Sequence, residues 1–396
     1  MIDRSLVWAG NVNAAAGPGA GPAAGRRVGL YDTTLRDGEQ TVGVVLDPDD
    51  KLEIARALDA LGVDRIEAGF PRVSEADREA FRRIVEAGLD AEIWGFSRAL
   101  PADVQALVEL GVRFTVIEAP LSDGKLAAYG MSREKVLDRV ATAIGTARDA
   151  GIHVCFFGVD GSRGDPGFLR EAYVRAVEAG AAEVAVVDTI GVATPEAAAH
   201  LVREARTWLG DGVPVHWHGH DDFGLATAAA IAAVGAGAAW VQGTVNGMGE
   251  RAGNADLVEV AMALAALYGA EVSLNFERAR EVSALVRDRS GYALEPWKAV
   301  VGETLFTRES GAVASQFHDP PAIEPFSSTL VGAERRMVLG KKSGIDSIRI
   351  KLDELGLDAP EDARAELLAR VKELGAGKKG LVSDEEFREL VARSGA

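Results

Sequence analysis

Three of the six histidines of this chain stand within five residues of one another, at His216, His218 and His220. They follow an apolar run typical of a β-strand, and residues two apart on a strand face the same side. His218 and His220 can therefore point at one ion, together with Asp37 from a segment early in the chain. Two imidazoles and one carboxylate suit a divalent ion that keeps open positions for substrate oxygens.

A His-x-His pair taken alone has a second interpretation, as two structural histidines. The third histidine nearby favours a metal site instead. His216 shares the face of the other two but lies one pleat deeper, so we expect it in the core or behind the ligands. Asp221 and Asp222 follow directly. They could orient a ligand or cap the next helix, and capping is the expected role for at least one of them.

These residues need a frame that brings distant segments together, and the hydrophobic pattern predicts one. From Val28 onward, eight short apolar segments alternate with stretches of helical spacing. The predicted strands span residues 28–32, 65–70, 92–97, 114–119, 153–159, 183–189, 213–220 and 240–245. Helix-ending glycines precede several of them, at Gly62, Gly88, Gly111, Gly151 and Gly180. The repeat predicts an α/β fold, a (β/α)8 TIM barrel, rather than an open doubly wound sheet with a glycine-rich loop after its first strand.

Polar side chains cluster where the predicted strands end, which is where barrel enzymes place their chemistry. The candidates are Asp32, Arg36, Asp37, Glu39 and Gln40 after the first strand, Glu67 on the second, Asp188 and Thr189 at the sixth, and the histidines on the seventh. Only the eighth strand separates the first from the seventh around a closed barrel. A carboxylate from the first loop can therefore reach the histidines.

Amino-acid composition limits the partners, the location and the domain organisation that we expect for this protein. The 43 Lys and Arg residues against 60 Asp and Glu give a net charge of −17, which disfavours nucleic acid and anionic membrane surfaces. Cys155 is the one cysteine, so no intrachain disulfide forms and a cytoplasmic location is expected. No apolar run reaches the ~20 residues of a membrane span. We expect a flexible Ala-, Gly- and Pro-rich leader over 1–26, the barrel over 27–275 and a helical C-terminal extension over 276–396.

Three long motifs in this chain resemble those of a known family. They are YDTTLRDGEQ (31–40), HGHDDFGLAT (218–227) and TVNGMGERAGNADL (244–257), followed by LFTRESG (305–311) and VLGKKSG (338–344). They are similar to the metallolyase-type barrels that include homocitrate, isopropylmalate and citramalate synthases, most of all the nitrogen-fixation type of homocitrate synthase. The resemblance covers residues 28 to 345. It implies a homodimer in which the C-terminal part docks on the second subunit.

The resemblance also implies roles for individual residues. The implied metal ligands are Asp37, His218, His220 and Asn254; the catalytic and substrate-binding residues are Arg36, Gln40, Glu67, Arg163 and Thr189; and the acetyl-CoA loop contains Gly247, Gly249 and Gly253. The implied reaction is an acyltransferase reaction, in which acetyl-CoA adds to a 2-oxo acid with the help of Mg, Mn, Zn or Co. The arginine at position 163 favours a dicarboxylate or phosphonate-like 2-oxo acid.

Three positions depart from the family pattern. Val159 stands where the synthases carry a Glu before their Asp-x-x-Arg, Val313 stands where they carry a His, and Ile323 stands where they carry a Tyr. These groups form the synthases' acid/base set for enolising acetyl-CoA, and an aliphatic side chain moves no proton. His318 could replace the lost His, and Asp160, Glu118, Glu67 or Tyr129 could supply a new base.

Other functions remain open at this point. A lyase, aldolase or decarboxylase acting on a 2-oxo or 2-hydroxy acid would not need acetyl-CoA enolisation. A regulatory descendant that only binds ligands is disfavoured, because Arg36, Asp37, His218, His220 and Asn254 are all present. A nicotinamide dehydrogenase is disfavoured by the lack of a phosphate-binding loop.

Overall fold

The computed structural model describes residues 2–10, 12–15 and 23–395. Within these, the chain forms two compact units, one of Met1–Ile2 with Gly10–Leu294 and one of Asp3–Ala9 with Glu295–Ala396. The division therefore comes later than the predicted boundary at residue 275. Part of the predicted leader, residues 16–22, lies outside the described residues, whereas Asp3–Ala9 belongs to the second unit.

Eight parallel strands close into a barrel in the first unit, which confirms the predicted TIM barrel. The strands are β1 Gly29–Asp32, β2 Arg65–Glu67, β3 Glu92–Arg98, β4 Phe114–Pro120, β5 His153–Val159, β6 Glu183–Asp188, β7 Val215–Gly219 and β8 Trp240–Gly243. Closure is made by β1 against β8, with Leu30 opposite Val241. Each strand lies at its predicted place, and the ends differ by a few residues.

Helices follow every strand and cover the barrel. In the first unit they are α1 Val12–Ala15, α2 Pro48–Leu61, α3 Glu75–Glu86, α4 Pro101–Glu109, α5 Asp123–Ala128, α6 Arg133–Asp149, α7 Pro166–Ala179, α8 Pro195–Leu209, α9 Ala226–Gly235, α10 Leu257–Ala266 and α11 Ala279–Ser290. Local sequence fixes their ends. Asp47 caps α2 with Pro48 in the first turn, and the helix ends at Gly62 with φ 89°. A side chain at Gly62 would also collide with the carbonyl oxygen of Ser273, 2.8 Å from a Cβ.

Two layers of side chains fill the barrel. An apolar layer contains Tyr31, Trp94, Phe96, Val116, Cys155, Phe157, Ala185 and Val187. A polar network includes the buried carboxylate of Glu183, which accepts hydrogen bonds from Arg65 at 2.7 Å and His216 at 2.5 Å. His216 is buried in this network, as its deeper position on the strand predicts.

The second unit has its own hydrophobic core. It contains β9 Thr307–Arg308, β10 Arg336–Met337, α12 Gly311–Ala314, α13 Ile345–Leu355, α14 Ala363–Lys378 and α15 Asp384–Gly395. The two short strands pair in parallel, and Leu339, Ile348, Leu367, Val371 and Phe387 belong to the core around the last three helices. Among the described residues of either unit, no helix has both the length and the apolar character needed to cross a membrane.

Candidate metal centre

Asp37, His218 and His220 come together at the C-terminal end of the barrel. The Asp37 Oδ2 atom lies 3.2 Å from His218 Nε2 and 3.6 Å from His220 Nε2. All three side chains are buried, and each offers a ligand atom within 4.8 Å of the others. This is the juxtaposition that the sequence predicts, built from the first loop and the end of β7.

Backbone hydrogen bonds set these positions. The backbone N–H groups of residues 36, 37 and 38 all donate to the carbonyl of Thr33, with that of Asp37 at 2.8 Å. This tight turn presents Asp37 directly after β1. His218 lies in register with Gln242 of β8, and His220 forms an antiparallel bridge with Asn254. The two histidines are therefore fixed by the sheet and the carboxylate by a closed turn.

Several buried polar atoms here have no hydrogen-bond partner among the residues that the structure describes. They are Asp37 Oδ1, His218 Nδ1, His220 Nδ1 and Asn254 Oδ1. An unsatisfied buried polar group costs about 1–3 kcal/mol, so a cluster of them needs an explanation. A divalent cation suits the free oxygens and imidazole nitrogens of this set. The donor chemistry therefore fits a metal ion.

Protonation also suits metal binding. Burial disfavours the charged form of Asp37, but the charge of Arg36 and the hydrogen bond with His218 outweigh it and hold the pKa of Asp37 well below its usual range. Burial lowers the pKa of His220 to about 4, although the nearby Asp37 charge opposes this. An ionised carboxylate and a neutral imidazole are the forms that bind metals.

Asn254, the predicted fourth ligand, is placed beside this cluster by the loop after β8. Its side-chain Nδ2 donates to the carbonyl of Met248 at 2.9 Å, which leaves the Oδ1 atom free. Gly249 and Gly253 close the loop tightly around it. A Cβ at Gly249 would lie 2.3 Å from Asn254 Nδ2, and one at Gly253 would lie 1.9 Å from the carbonyl oxygen of Gly247. These contacts account for the glycines by loop packing, and their predicted acetyl-CoA contact stays a prediction.

Arg36 is the cation next to the candidate ligands. Its Nε atom donates to Glu67 Oε2 at 2.9 Å, and its Nη1 atom lies 3.1 Å from Asp37 Oδ2. Its Nη2 atom is buried and has no hydrogen-bond partner in the described part of the chain. The guanidinium lies over the ring of Phe96, 4.3 Å from the centroid. Burial raises the pKa of Glu67 to about 7 against the charge and hydrogen bond of Arg36. The guanidinium is thus fixed on one edge and free on another.

Other predicted site residues have different surroundings. Arg163 forms a two-point contact with Asp160, its Nε atom 2.9 Å from Oδ1 and its Nη2 atom 2.5 Å from Oδ2. The Thr189 hydroxyl accepts the backbone N–H of Asp160 at 2.7 Å, and Gln40 is exposed. Arg163 and Thr189 therefore hold the turn after β5, and their predicted contacts with a substrate carboxylate stay predictions.

The structure also shows the partners of the two carboxylates after β7, Asp221 and Asp222. Asp221 Oδ1 accepts the backbone N–H of Ala226 at 2.8 Å, at the start of α9, so it has the predicted capping role. Asp222 pairs with Arg251 at 2.8 Å.

Sequence reasoning missed one element of this region. Lys51 of α2 is buried, and its Nζ atom lies 2.6 Å from both Glu39 Oε2 and Asp77 Oδ1. Glu39 in turn accepts the backbone N–H of Leu46 at 2.9 Å, so the pair braces the loop that carries Asp37. A helix pattern that places a lysine on its apolar face was the available signal.

Fold and site together define a (β/α)8-barrel protein with a candidate metal centre at the mouth of the barrel. Comparison with known families identifies it further. Residues 27–286 match the HMGL-like family, and residues 300–379 match the homocitrate synthase post-HMGL domain-like family. The chain belongs to the HMGL-like family.

Several similar proteins are named as synthases. A homocitrate synthase of Methanopyrus kandleri is 45% identical over 364 residues, covering 91% of this chain and 91% of that protein. A putative (R)-citramalate synthase of the same organism is 45% identical, covering 92% and 72%. A 2-isopropylmalate synthase of Methanocaldococcus jannaschii is 41% identical, covering 92% and 71%.

Solved structures agree on the fold. A hydroxymethylglutaryl-CoA lyase from Pseudomonas aeruginosa aligns with a TM-score of 0.61 at 22% identity, covering 68% of this chain and 95% of that chain. The carboxyl transferase domain of Rhizobium etli pyruvate carboxylase aligns with a TM-score of 0.54 at 19% identity, covering 68% and 51%. At this identity the likeness describes the barrel alone.

Proposed function

We propose that this protein is a metal-dependent transferase that condenses an acyl-CoA, acetyl-CoA in the first instance, with a 2-oxo acid. The observation that carries the proposal is the buried cluster of Asp37, His218 and His220 beside an arginine with a free edge. The relatives support it, since they bear the names of homocitrate, citramalate and isopropylmalate synthases. They favour condensation over the lyase and decarboxylase alternatives.

The residues of the candidate site would have separate roles in metal binding and substrate binding. Asp37, His218, His220 and Asn254 would hold a divalent ion, which supplies polarisation of the 2-oxo group when bound. Arg36 offers its free Nη2 atom to a substrate carboxylate or to the oxyanion that develops on addition. Its other edge is held by Glu67 at 2.9 Å, so the guanidinium is oriented before the substrate arrives.

Position 159 holds an aliphatic residue, so another side chain must act as the base in the acid/base step. Val159 packs against the apolar layer of the barrel and cannot accept a proton. Burial raises the pKa of Glu67 and of Glu118, which brings each carboxyl closer to the range of a general base. One of these two carboxylates would remove the acetyl proton. Asp160 is less suited because both its oxygens are occupied by Arg163.

Release of free CoA thiol tests the function. Purified protein loaded with Mn²⁺, Mg²⁺, Zn²⁺ or Co²⁺ is incubated with acetyl-CoA and a panel of 2-oxo acids. Thiol release that needs the metal, and that is lost in Asp37→Ala while the exposed Asp90→Asn retains it, supports a synthase. No release with any acid, from protein that binds both metal and 2-oxo acid, would reject the condensation.

Glu67→Gln and Glu118→Gln then separate the two candidate bases. The variant that lowers kcat at saturating substrate, and removes the acidic limb of the pH profile, identifies the base. We also propose that the protein is a homodimer and that its 2-oxo acid is a dicarboxylate or phosphonate-like acid. Sedimentation and the acid panel test them separately.

A further inference from the structure

A cavity opens at the C-terminal ends of strands β3, β4 and β5 of the barrel. It has a volume of about 400 Å³ and is lined at the strand ends by Arg98 of β3, Glu118 of β4 and Val159 of β5. Lys135 and Arg139 of α6 and Tyr129 before it complete the wall. Barrel enzymes bind their substrates at this end of the strands.

Basic side chains outnumber acidic ones around this largely apolar cavity, although the whole chain carries a net charge of −17. Three of its lining side chains are basic, and Glu118 is the one acid among the lining residues. Lys135 and Arg139 stand four residues apart on α6, a spacing at which like charges destabilise a helix. A cost of this kind is expected where the two charges serve a ligand.

The two helix cations also lack acidic partners. Among the described residues, Lys135 makes no ion pair, and Arg139 makes its side-chain contact with the sulfur of Met131, 3.0 Å from Nη1. A thioether is a weak acceptor. Arg98 differs, since Asp103 holds it at 2.7 Å. The cavity is therefore lined by two cations, one of them exposed to solvent, that form no ion pair among the described residues.

Two observations connect this cavity to the candidate metal centre. Burial raises the pKa of Glu118, and the charge of Arg36 acts against that shift, so the two groups lie within electrostatic reach. Val159 lines the cavity and also packs against the apolar layer that contains Phe157. The Phe157 ring lies 5.0 Å from that of His218.

We propose that this cavity is the subsite for a multiply charged phosphate-type group of the substrates, bound by Lys135 and Arg139. The inference rests on the proposed function for the identity of the ligand. Such a group comes either from a phosphonate on the 2-oxo acid or from the phosphates of the acyl-CoA. In the second case Glu67 would be the base, because Glu118 lines this cavity and the CoA phosphates lie far from the acetyl carbon. The bonds of Arg163 to Asp160 support this placement, because they occupy the arginine for which an anion contact was predicted.

Binding measurements on full-length protein test the subsite. Calorimetry gives the Kd of CoA, 3′-dephospho-CoA, pyruvate and phosphonopyruvate for the wild type and for the double variant Lys135→Gln/Arg139→Gln. We expect the Kd of at least one phosphate-type ligand to rise by about tenfold or more, with that of pyruvate unchanged. A rise for CoA alone assigns the group to the cofactor, and a rise for phosphonopyruvate alone assigns it to the 2-oxo acid.

Controls keep the result interpretable. Arg170→Gln removes an exposed arginine of α7 outside the cavity and should leave every Kd unchanged, while the charge-retaining Lys135→Arg/Arg139→Lys should bind as the wild type does. Unchanged Kd values in a folded double-glutamine variant would overturn the subsite. Because binding is read without turnover, a Kd shift in protein that releases no thiol would keep the subsite and reject only the condensation.

Discussion

Arg36 and Glu67 form a buried ion pair, with Arg36 Nε donating to Glu67 Oε2 at 2.9 Å. The pair joins the first loop of the barrel to its second strand. Glu67 Oε1 and Arg36 Nη2 have no hydrogen-bond partner among the described residues. One contact thus orients the guanidinium and keeps hydrogen-bonding capacity for a ligand on both sides of it.

Loss of the Glu67 charge should therefore loosen Arg36. In Glu67→Gln we expect the KM for the 2-oxo acid to rise about tenfold, a size typical of lost orienting contacts near a site. Mn²⁺ affinity should stay at the wild-type value. Steady-state kinetics and calorimetry measure the two quantities. A fall in kcat at unchanged KM would instead assign proton transfer to Glu67.

Removal of the Asp37 carboxylate should abolish metal binding. It is the one carboxylate in its cluster, so Asp37→Ala is expected to weaken Mn²⁺ binding by about 100-fold or more. Metal content after dialysis and electron paramagnetic resonance of Mn²⁺ give the affinity. Asp90→Asn, an exposed change on the surface, serves as the control. Wild-type affinity in Asp37→Ala would remove Asp37 from the ligand set.

Lys51 should act on the metal centre from a distance. Its contacts of 2.6 Å with Glu39 and Asp77 brace the loop of Asp37, and Lys51→Met leaves two carboxylates without their buried partner. We expect a loss of about 3–5 kcal/mol in the free energy of unfolding. In protein that remains folded, Mn²⁺ affinity should fall about tenfold. Urea unfolding and Mn²⁺ titration measure both, and Lys51→Arg should restore part of each.

Acidification should weaken the core through Glu183. Burial opposes its ionisation, but hydrogen bonds from His153, His216 and Arg65 outweigh this and hold the pKa of Glu183 well below its usual range. A depressed folded-state pKa contributes stability above the unfolded value of about 4.3, and the contribution declines as the pH falls below it. Urea unfolding between pH 7 and pH 3 should show this loss, and Glu183→Gln should be less stable at pH 7 with a flatter acid response. Equal slopes in both proteins would contradict it.

The loop around Asn254 should not tolerate a side chain at Gly253. That residue has φ 85°, and a Cβ there would overlap the carbonyl oxygen of Gly247. Gly253→Ala should cost more than about 1 kcal/mol of unfolding free energy and lower Mn²⁺ affinity. Gly124→Ala is a matched change in open space within α5 and should be neutral or slightly stabilising. Thermal unfolding of the two variants compares them.

Much of the fold could be predicted from local sequence. The strand positions follow from short apolar segments, and the five glycines expected to end helices all have positive φ. The juxtaposition of Asp37 with His218 and His220 was predictable too, because barrel closure brings β1 beside β8 and close to β7. The surroundings of Arg163 were not, since a matching arginine in a motif carries no information about the Asp160 carboxylate that holds it.

Local sequence patterns are sufficient to specify the eight-fold repeat, the order of the strands and the polar residues at their ends. These depend on periodicity and on turn residues, which act over a few positions. Other contacts depend on the tertiary structure. Lys51 pairs with Glu39 of the first loop, and Glu183 binds Arg65 and two histidines. Lys135, Arg139 and Glu118 line one cavity. These contacts join residues that are far apart in the chain. They form only once the barrel has closed, because strand register and helix packing then determine which side chains are neighbours.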